Sequence, residues 1–197
     1  FDFAAGLKLV RLRGQAMQDA ADAADSGMVA LMGADEASAD ELCDRARGDD
    51  VLVPANFNCP GQVVVSGSTP ACQRAVETAS AMGLRATPLK VAGAFHSPIM
   101  QPAADRLAEA LEQTQWQSLQ ATVLSNVTGL PHEDAPASIR EKLVAQLTRP
   151  VRWSDSMQWA ASNMDAEFLE LAPGRVLSGL MRKIDRSTKV ASWSEPT

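Results

Sequence analysis

The sequence predicts an α/β protein in which a compact β-α-β-β-α-β unit interrupts a larger α/β layer. Three observations carry that expectation. Apolar residues recur at helical spacing over residues 1–24. Short β-branched runs bounded by Gly and Pro, with two helical patterns among them, occupy residues 27–91. From residue 92 onward strand-like and helix-like runs alternate, the order of a parallel α/β layer.

The elements follow in order. In residues 1–24, Phe3, Leu7, Val10 and Met17 form an apolar helical stripe, with Gly14 in register where a neighbour can approach closely. GMVALMG (27–33) reads as a strand, and ASADELCDRAR (37–47) as a helix with Ser38 as its cap. VLVPANFN (51–58) and QVVVSGS (62–68) read as strands around the turn Cys59-Pro60-Gly61. TPACQRAVETASAMG (69–83) is a helix closed by a glycine, and LRATPLKV (84–91) a strand. This order is the ferredoxin-like pattern. A long amphipathic helix is predicted over 97–115, a short strand over 121–127, and helices over 137–147 and 154–163 around Arg149-Pro150. A buried strand over 166–173 then runs through Gly174 into a helix over 175–184, and 190–194 is a last strand. Residues 1–26 and 92–197 are therefore expected to form one α/β domain, and residues 27–91 a subdomain inserted in it.

Composition excludes several classes. The 46% hydrophobic and 21% charged residues describe a globular chain. No apolar run approaches the roughly 20 residues that span a bilayer, and no signal-peptide pattern is present, so no membrane partner is expected. Net charge of −6 argues against nucleic acid. Cys43, Cys59 and Cys72 are odd in number and form no C-x-x-C or Cys/His pairing, which suits a reducing cytoplasm better than disulfides or a zinc site. Neither a metal nor a resident cofactor is expected.

His96, at the end of a strand-like run and just before Ser97-Pro98, is the strongest candidate for chemistry, because α/β sheets gather their reactive groups at strand ends. Read alone it serves equally as a packing residue at a helix entry, the commoner role of a lone histidine. His132, in Pro131-His132-Glu133-Asp134, reads as solvated. A base needs a nucleophile, and no G-x-S-x-G pentapeptide occurs in the chain. Arg13, in RLRG (11–14), is either a solvated helix residue or a planar fork for a carboxylate with room beside it at Gly14. Pro173-Gly174-Arg175 could present helix N–H groups to an anion. Residues 175–189 concentrate Arg175, Arg182, Lys183, Arg186 and Lys189 against Asp185 alone, which suits an acidic partner or a phosphate, or simply a solvated face.

Six stretches taken together resemble one family, the malonyl-CoA:acyl carrier protein transacylases of type II fatty acid synthesis, related to the acyltransferase domains of polyketide synthases. They are LVRLRGQAMQ (9–18), PANFNCPGQVVVSG (54–67), VAGAFHSPIM (91–100), SNVTG (125–129), LTRPVRW (147–153) and ELAPGRVLSGLMRK (170–183), in family order across the chain. The resemblance implies an α/β-hydrolase-like parallel-sheet core with the ferredoxin-like subdomain inserted. It implies two-step malonyl transfer from malonyl-CoA to the phosphopantetheine thiol of acyl carrier protein through a serine ester. In it His96 is the base and then the acid, and Arg13 holds the malonyl carboxylate. The backbone carbonyl of Gln146 orients the histidine in place of a triad aspartate. Phe95 fills the space an α-methyl branch would need, and Asn126 and Gln62 match pocket positions without assigned roles. Arg182 and Lys183 are placed to dock the carrier protein. The family's serine elbow and oxyanion-hole glutamine have no match here, and Phe1 falls within a helical pattern. The expectation is accordingly an N-terminally incomplete, by itself inactive, part of an enzyme that is monomeric when complete. Two alternatives stand beside it: an acyltransferase domain of a polyketide synthase, and a non-catalytic fragment that binds acyl carrier protein.

Overall fold

The computed structural model describes residues 1–171 and 173–193. The first helix, α1 (Phe3–Asp22), starts where the Asp2 side chain accepts a hydrogen bond from the Ala5 N–H at 2.8 Å. It has two apolar faces rather than one. Ala16, Met17 and Ala20 are buried, with Leu9 and Leu12 half-buried beside them, and this face packs on α4 (Gln101–Glu112) through Ala103, Ala104, Leu107 and Leu111. Small residues on both helices permit the close crossing. The predicted stripe fares differently: Phe3, Leu7 and Val10 are exposed, Phe3 by 82%. Residues three and four apart share a helix face, so Phe3, Leu7 and Val10 lie together, and they border one cavity with Leu107 and Leu111 of α4.

Next comes the β-α-β-β-α-β order that the sequence predicts: β1 (Ser26–Met32), α2 (Glu36–Ala46), β2 (Leu52–Cys59), β3 (Gln62–Ser68), α3 (Thr69–Ala81) and β4 (Arg85–Pro88). The sheet runs β2-β3-β1-β4 with every neighbouring pair antiparallel. Because side chains alternate along a strand, Val29, Leu31, Val63 and Val65 face α2 and α3, closing a core with Leu42, Cys43, Cys72 and Ala75. Met28 and Val64 face the other way, with Ala55, and form a smaller cluster against Phe95. That second face meets the rest of the chain.

Several boundaries differ from expectation. The helix α2 is capped by Asp35, not Ser38; Ser38 sits three residues on and closes a reciprocal capping box with it. The strand predicted to reach Val91 ends at Pro88, and no named strand covers 121–127. There a single antiparallel bridge joins Leu124 to Pro131, flanked by hydrogen bonds from the Ser125 N–H to the Leu130 carbonyl and from the His132 N–H to the Val123 carbonyl. The long helix predicted over 97–115 is a 3-10 turn (Pro98–Met100) followed by α4.

The chain continues through α5 (Pro136–Ala145), α6 (Trp153–Asn163), β5 (Phe168–Leu171), α7 (Val176–Ile184) and β6 (Val190–Trp193). Strands β5 and β6 pair in parallel, with α7 as the crossover between them. Among the described residues this pair is the whole of the parallel layer; Ala172 and Ser194, in the predicted strands, lie outside the described residues. Val151 adds a bridge to Asn56 at the outer edge of β2, and α6 and α7 lie against that strand. The three cysteines are buried and free, and burial pushes the Cys43 thiol up to about 12, so it packs as a small apolar residue. Among the described residues no helix is long and apolar enough to cross a membrane.

Candidate active site

The loop from Val91 to Ser97 leaves the four-stranded sheet and enters the helical layer, and it is clamped at both ends. A Cβ on Gly93 would come within 2.6 Å of the Ala21 Cβ, so only glycine lets the loop lie this close to α1. The Ala94 N–H donates to the Ser26 hydroxyl at 3.1 Å. Ser97, fully buried, donates its hydroxyl to the Ala94 carbonyl at 2.6 Å and accepts from the Ile99 N–H. Between these clamps His96 adopts φ of 58°, the one non-glycine residue with positive φ among those described. Such a conformation costs on the order of 1–3 kcal/mol and persists where its surroundings enforce it, commonly at functional sites.

The strained backbone directs the imidazole at the end of α5. His96 Nδ1 lies 2.8 Å from the backbone carbonyl oxygen of Gln146. Gln146 is the C-terminal cap of α5, where helix carbonyls lack intrahelical partners and carry partial negative charge. A carbonyl can only accept, so Nδ1 carries the proton and Nε2 keeps its lone pair. Burial lowers the pKa of His96 below the ordinary histidine value of 6.5, the Arg13 charge adds to the lowering, and the Gln146 carbonyl opposes it.

Arg13 is thus near enough for its charge to be felt at His96. It is half-buried, and burial lowers its own pKa. Arg13 borders a cavity of about 400 Å³ that Gln146, Leu107, Leu111 and Leu143 also line. Among the described residues no carboxylate pairs with it. An unpaired, partly desolvated guanidinium beside a neutral imidazole is a ready receptor for an anionic group. Phe95 packs on both sides of the junction, against the helical core and against the Met28, Ala55 and Val64 cluster.

The remaining candidates are placed less directly. The Asn126 carbonyl accepts from the Arg152 N–H at 2.7 Å, joining its turn to the start of α6. Gln62 begins β3 opposite Met32, and its Oε1 accepts a long contact from Cys59 Sγ at 3.8 Å. Neither side chain bonds to His96, Arg13 or Gln146 among the described residues. His132 is half-buried rather than solvated, and its Nδ1 is enclosed without a hydrogen-bond partner. Burial, then the Lys142 charge, lowers its pKa.

The turn before α7 is not an open anion site, because the chain fills it itself. Glu170, on β5 and 3% exposed, accepts from the Leu177 N–H at 2.8 Å and the Ser178 N–H at 2.9 Å, and from the Ser192 hydroxyl at 3.2 Å. Burial opposes ionisation of this carboxyl, but those donors outweigh it and hold its pKa below the usual value. Sequence reasoning missed Glu170. Its signal was an acidic residue inside an apolar strand a few positions ahead of a helix start. The basic stretch is also divided: Arg175, Arg182, Arg186 and Lys189 line one groove, whereas Lys183 is close enough to Cys59 on β2 for its charge to act there.

The sequence matches the family described as "Acyl transferase domain" over residues 3–193. It is 39% identical over 189 residues to the malonyl CoA-acyl carrier protein transacylase of Bacillus subtilis, covering 95% of this chain and 59% of that protein. The enzyme of the same name from Escherichia coli K12 is 37% identical, covering 100% of this chain and 63% of the relative. A crystal structure of malonyl-CoA:acyl carrier protein transacylase from Xanthomonas oryzae superposes with a TM-score of 0.91 at 42% identity, over 98% of this chain and 61% of that one. The chain therefore spans about three fifths of the length of the curated relatives it matches. With His96, Gln146 and Arg13 drawn together and the family match running nearly end to end, the chain belongs to the acyl transferase domain family.

Proposed function

We propose that the protein transfers a malonyl group from malonyl-CoA to the phosphopantetheine thiol of acyl carrier protein, through a malonyl ester on serine, in fatty acid synthesis. The observation that carries this reading is His96 held by Nδ1 on the Gln146 carbonyl, with Arg13, which has no carboxylate partner among the described residues, close enough for its charge to act on it. The nucleophilic serine lies outside these 197 residues, which contain no serine elbow. The β-α-β-β-α-β unit is then the ferredoxin-like subdomain (27–91), and residues 1–26 and 92–197 belong to the α/β-hydrolase-like core. The three buried free thiols fit a cytoplasmic protein, which we take to be a monomer when complete.

In the first step Nε2 of His96 takes the proton of the serine hydroxyl as its oxygen attacks the thioester carbonyl. The Gln146 carbonyl accepts from Nδ1–H throughout and stabilises the imidazolium, the service an aspartate gives in a triad. Nε2 returns the proton to the departing CoA sulfur. In the second step Nε2 takes the proton of the carrier thiol as that sulfur attacks the ester carbonyl, then gives it to the serine oxygen. Arg13 binds the malonyl carboxylate through both steps. Phe95 fills the space beside the α-carbon, where one methyl group is worth about 1–3 kcal/mol, giving preference for malonyl over its α-methyl analogue.

Arg182 and Lys183, exposed on the last turn of α7, are assigned to docking the acidic carrier protein. Because Arg182 also lines the groove with Arg175, Arg186 and Lys189, the test reverses Lys183 alone: Lys183→Glu should raise KM for the carrier several-fold in the full-length protein. The rate of serine acylation at saturating malonyl-CoA should change little. Equal losses in both half-reactions would remove docking as the explanation.

A further inference from the structure

We propose that the groove between α7 and β6 binds the phosphate groups of a nucleotide-carried thioester donor. The groove encloses about 450 Å³, within the several-hundred-Å³ range of small-molecule sites. Arg175, Arg182, Arg186 and Lys189 line it, together with Ser178, Thr188 and Ser192. No Asp or Glu is among its lining residues.

Among the described residues, the two carboxylates nearest the groove in sequence, Glu170 and Asp185, are already engaged. Glu170 is bound to the N–H groups that open α7 and to the Ser192 hydroxyl. Asp185 accepts from the hydroxyls of Thr188 and Ser187 and from the Ser187 N–H, donors that hold its pKa at about 2. Among the described residues none of the four cations forms an ion pair. A chain with a net charge of −6 thus gathers uncompensated positive charge at one concave place.

Shape decides between occupants. A protein partner docks across roughly 800 Å² of its own surface, a face wider than this hollow, whereas phosphate groups fit within it. Guanidinium forks bind phosphate-ester oxygens in pairs, and the Lys189 ammonium adds a further charged donor. This assignment rests on malonyl-CoA being the donor. Arg182 can serve both the groove and the carrier, because the donor has left before the carrier thiol reacts.

The test is the double variant Arg186→Ala with Lys189→Ala in the full-length protein; neither side chain makes a hydrogen bond among the described residues. Malonyl-CoA is compared with malonyl-pantetheine, which carries the same thioester without phosphate. The ratio of their kcat/KM values should fall about tenfold. Adenosine 3′,5′-bisphosphate should bind the wild-type protein in a salt-sensitive way, and more weakly to the variant, by calorimetry. Equal losses with the two donors, no loss, or a loss confined to the carrier's KM would overturn the proposal, as would absence of bisphosphate binding. If neither donor acylates the protein, the proposed malonyl transfer fails, and bisphosphate binding still decides the groove.

Discussion

Arg13→Ala should lower kcat/KM for malonyl transfer by about 10²–10³-fold, the range expected when one partner of a desolvated charge pair is removed. Acetyl transfer, which presents no carboxylate, should change by less than about tenfold. The expectation follows from the position of the guanidinium: half-buried, without a carboxylate of its own among the described residues, and near enough to His96 to depress its pKa. Arg13→Lys keeps the charge but loses the planar fork, so it should recover only part of the difference. Removing the positive charge should also shift the acid limb of the rate profile upward, because one cause of the lowered His96 pKa is gone. Equal losses of malonyl and acetyl transfer would take Arg13 out of the carboxylate site.

His96→Asn should lower the rate of serine acylation by about 10²–10⁴-fold, the usual contribution of a positioned acid and base. Asparagine tolerates positive φ better than most residues, so the strained turn is retained and the thermal midpoint should move by only a few degrees. A base acts while neutral, and burial together with Arg13 lowers the pKa of this one. The neutral form therefore persists to lower pH than in free histidine. The wild-type acylation rate should hold as pH falls through 6.5 and decline only below it; a decline centred above 6.5 would contradict the environment described for His96. Unchanged acylation in His96→Asn would contradict its role outright.

The β-α-β-β-α-β order was readable because its determinants are local. The three consecutive valines at 63–65, the Gly61 turn and the Ser68–Pro70 helix start each specify their own few residues, and these elements join in the antiparallel order β2-β3-β1-β4. Periodicity failed where it could not say which face of a helix meets a neighbour. Phe3, Leu7 and Val10 read as core by spacing, while the alanines at 16 and 20, weaker in any hydrophobicity count, make the buried contact with α4. An apolar run over 121–127 predicts a strand, but a strand needs a partner along its length, and here the partnering stops at one bridge, Leu124 with Pro131.

The candidate site shows the same division. His96 stood out from residue type and position, but the contact that fixes its tautomer reaches 50 residues along the chain to a backbone carbonyl, an atom every residue possesses. Gln146 was reached through family resemblance, since no side-chain chemistry marks it. Glu170 was missed for a related reason: its role depends on which helix N-terminus the fold brings to it.

Malonyl transfer through a serine ester is tested most directly by the intact mass of the full-length protein after brief incubation with malonyl-CoA and no carrier. The expected spectrum shows one malonyl adduct per chain, discharged when carrier bearing a free phosphopantetheine thiol is added. A folded full-length protein that gains no adduct would contradict the assignment.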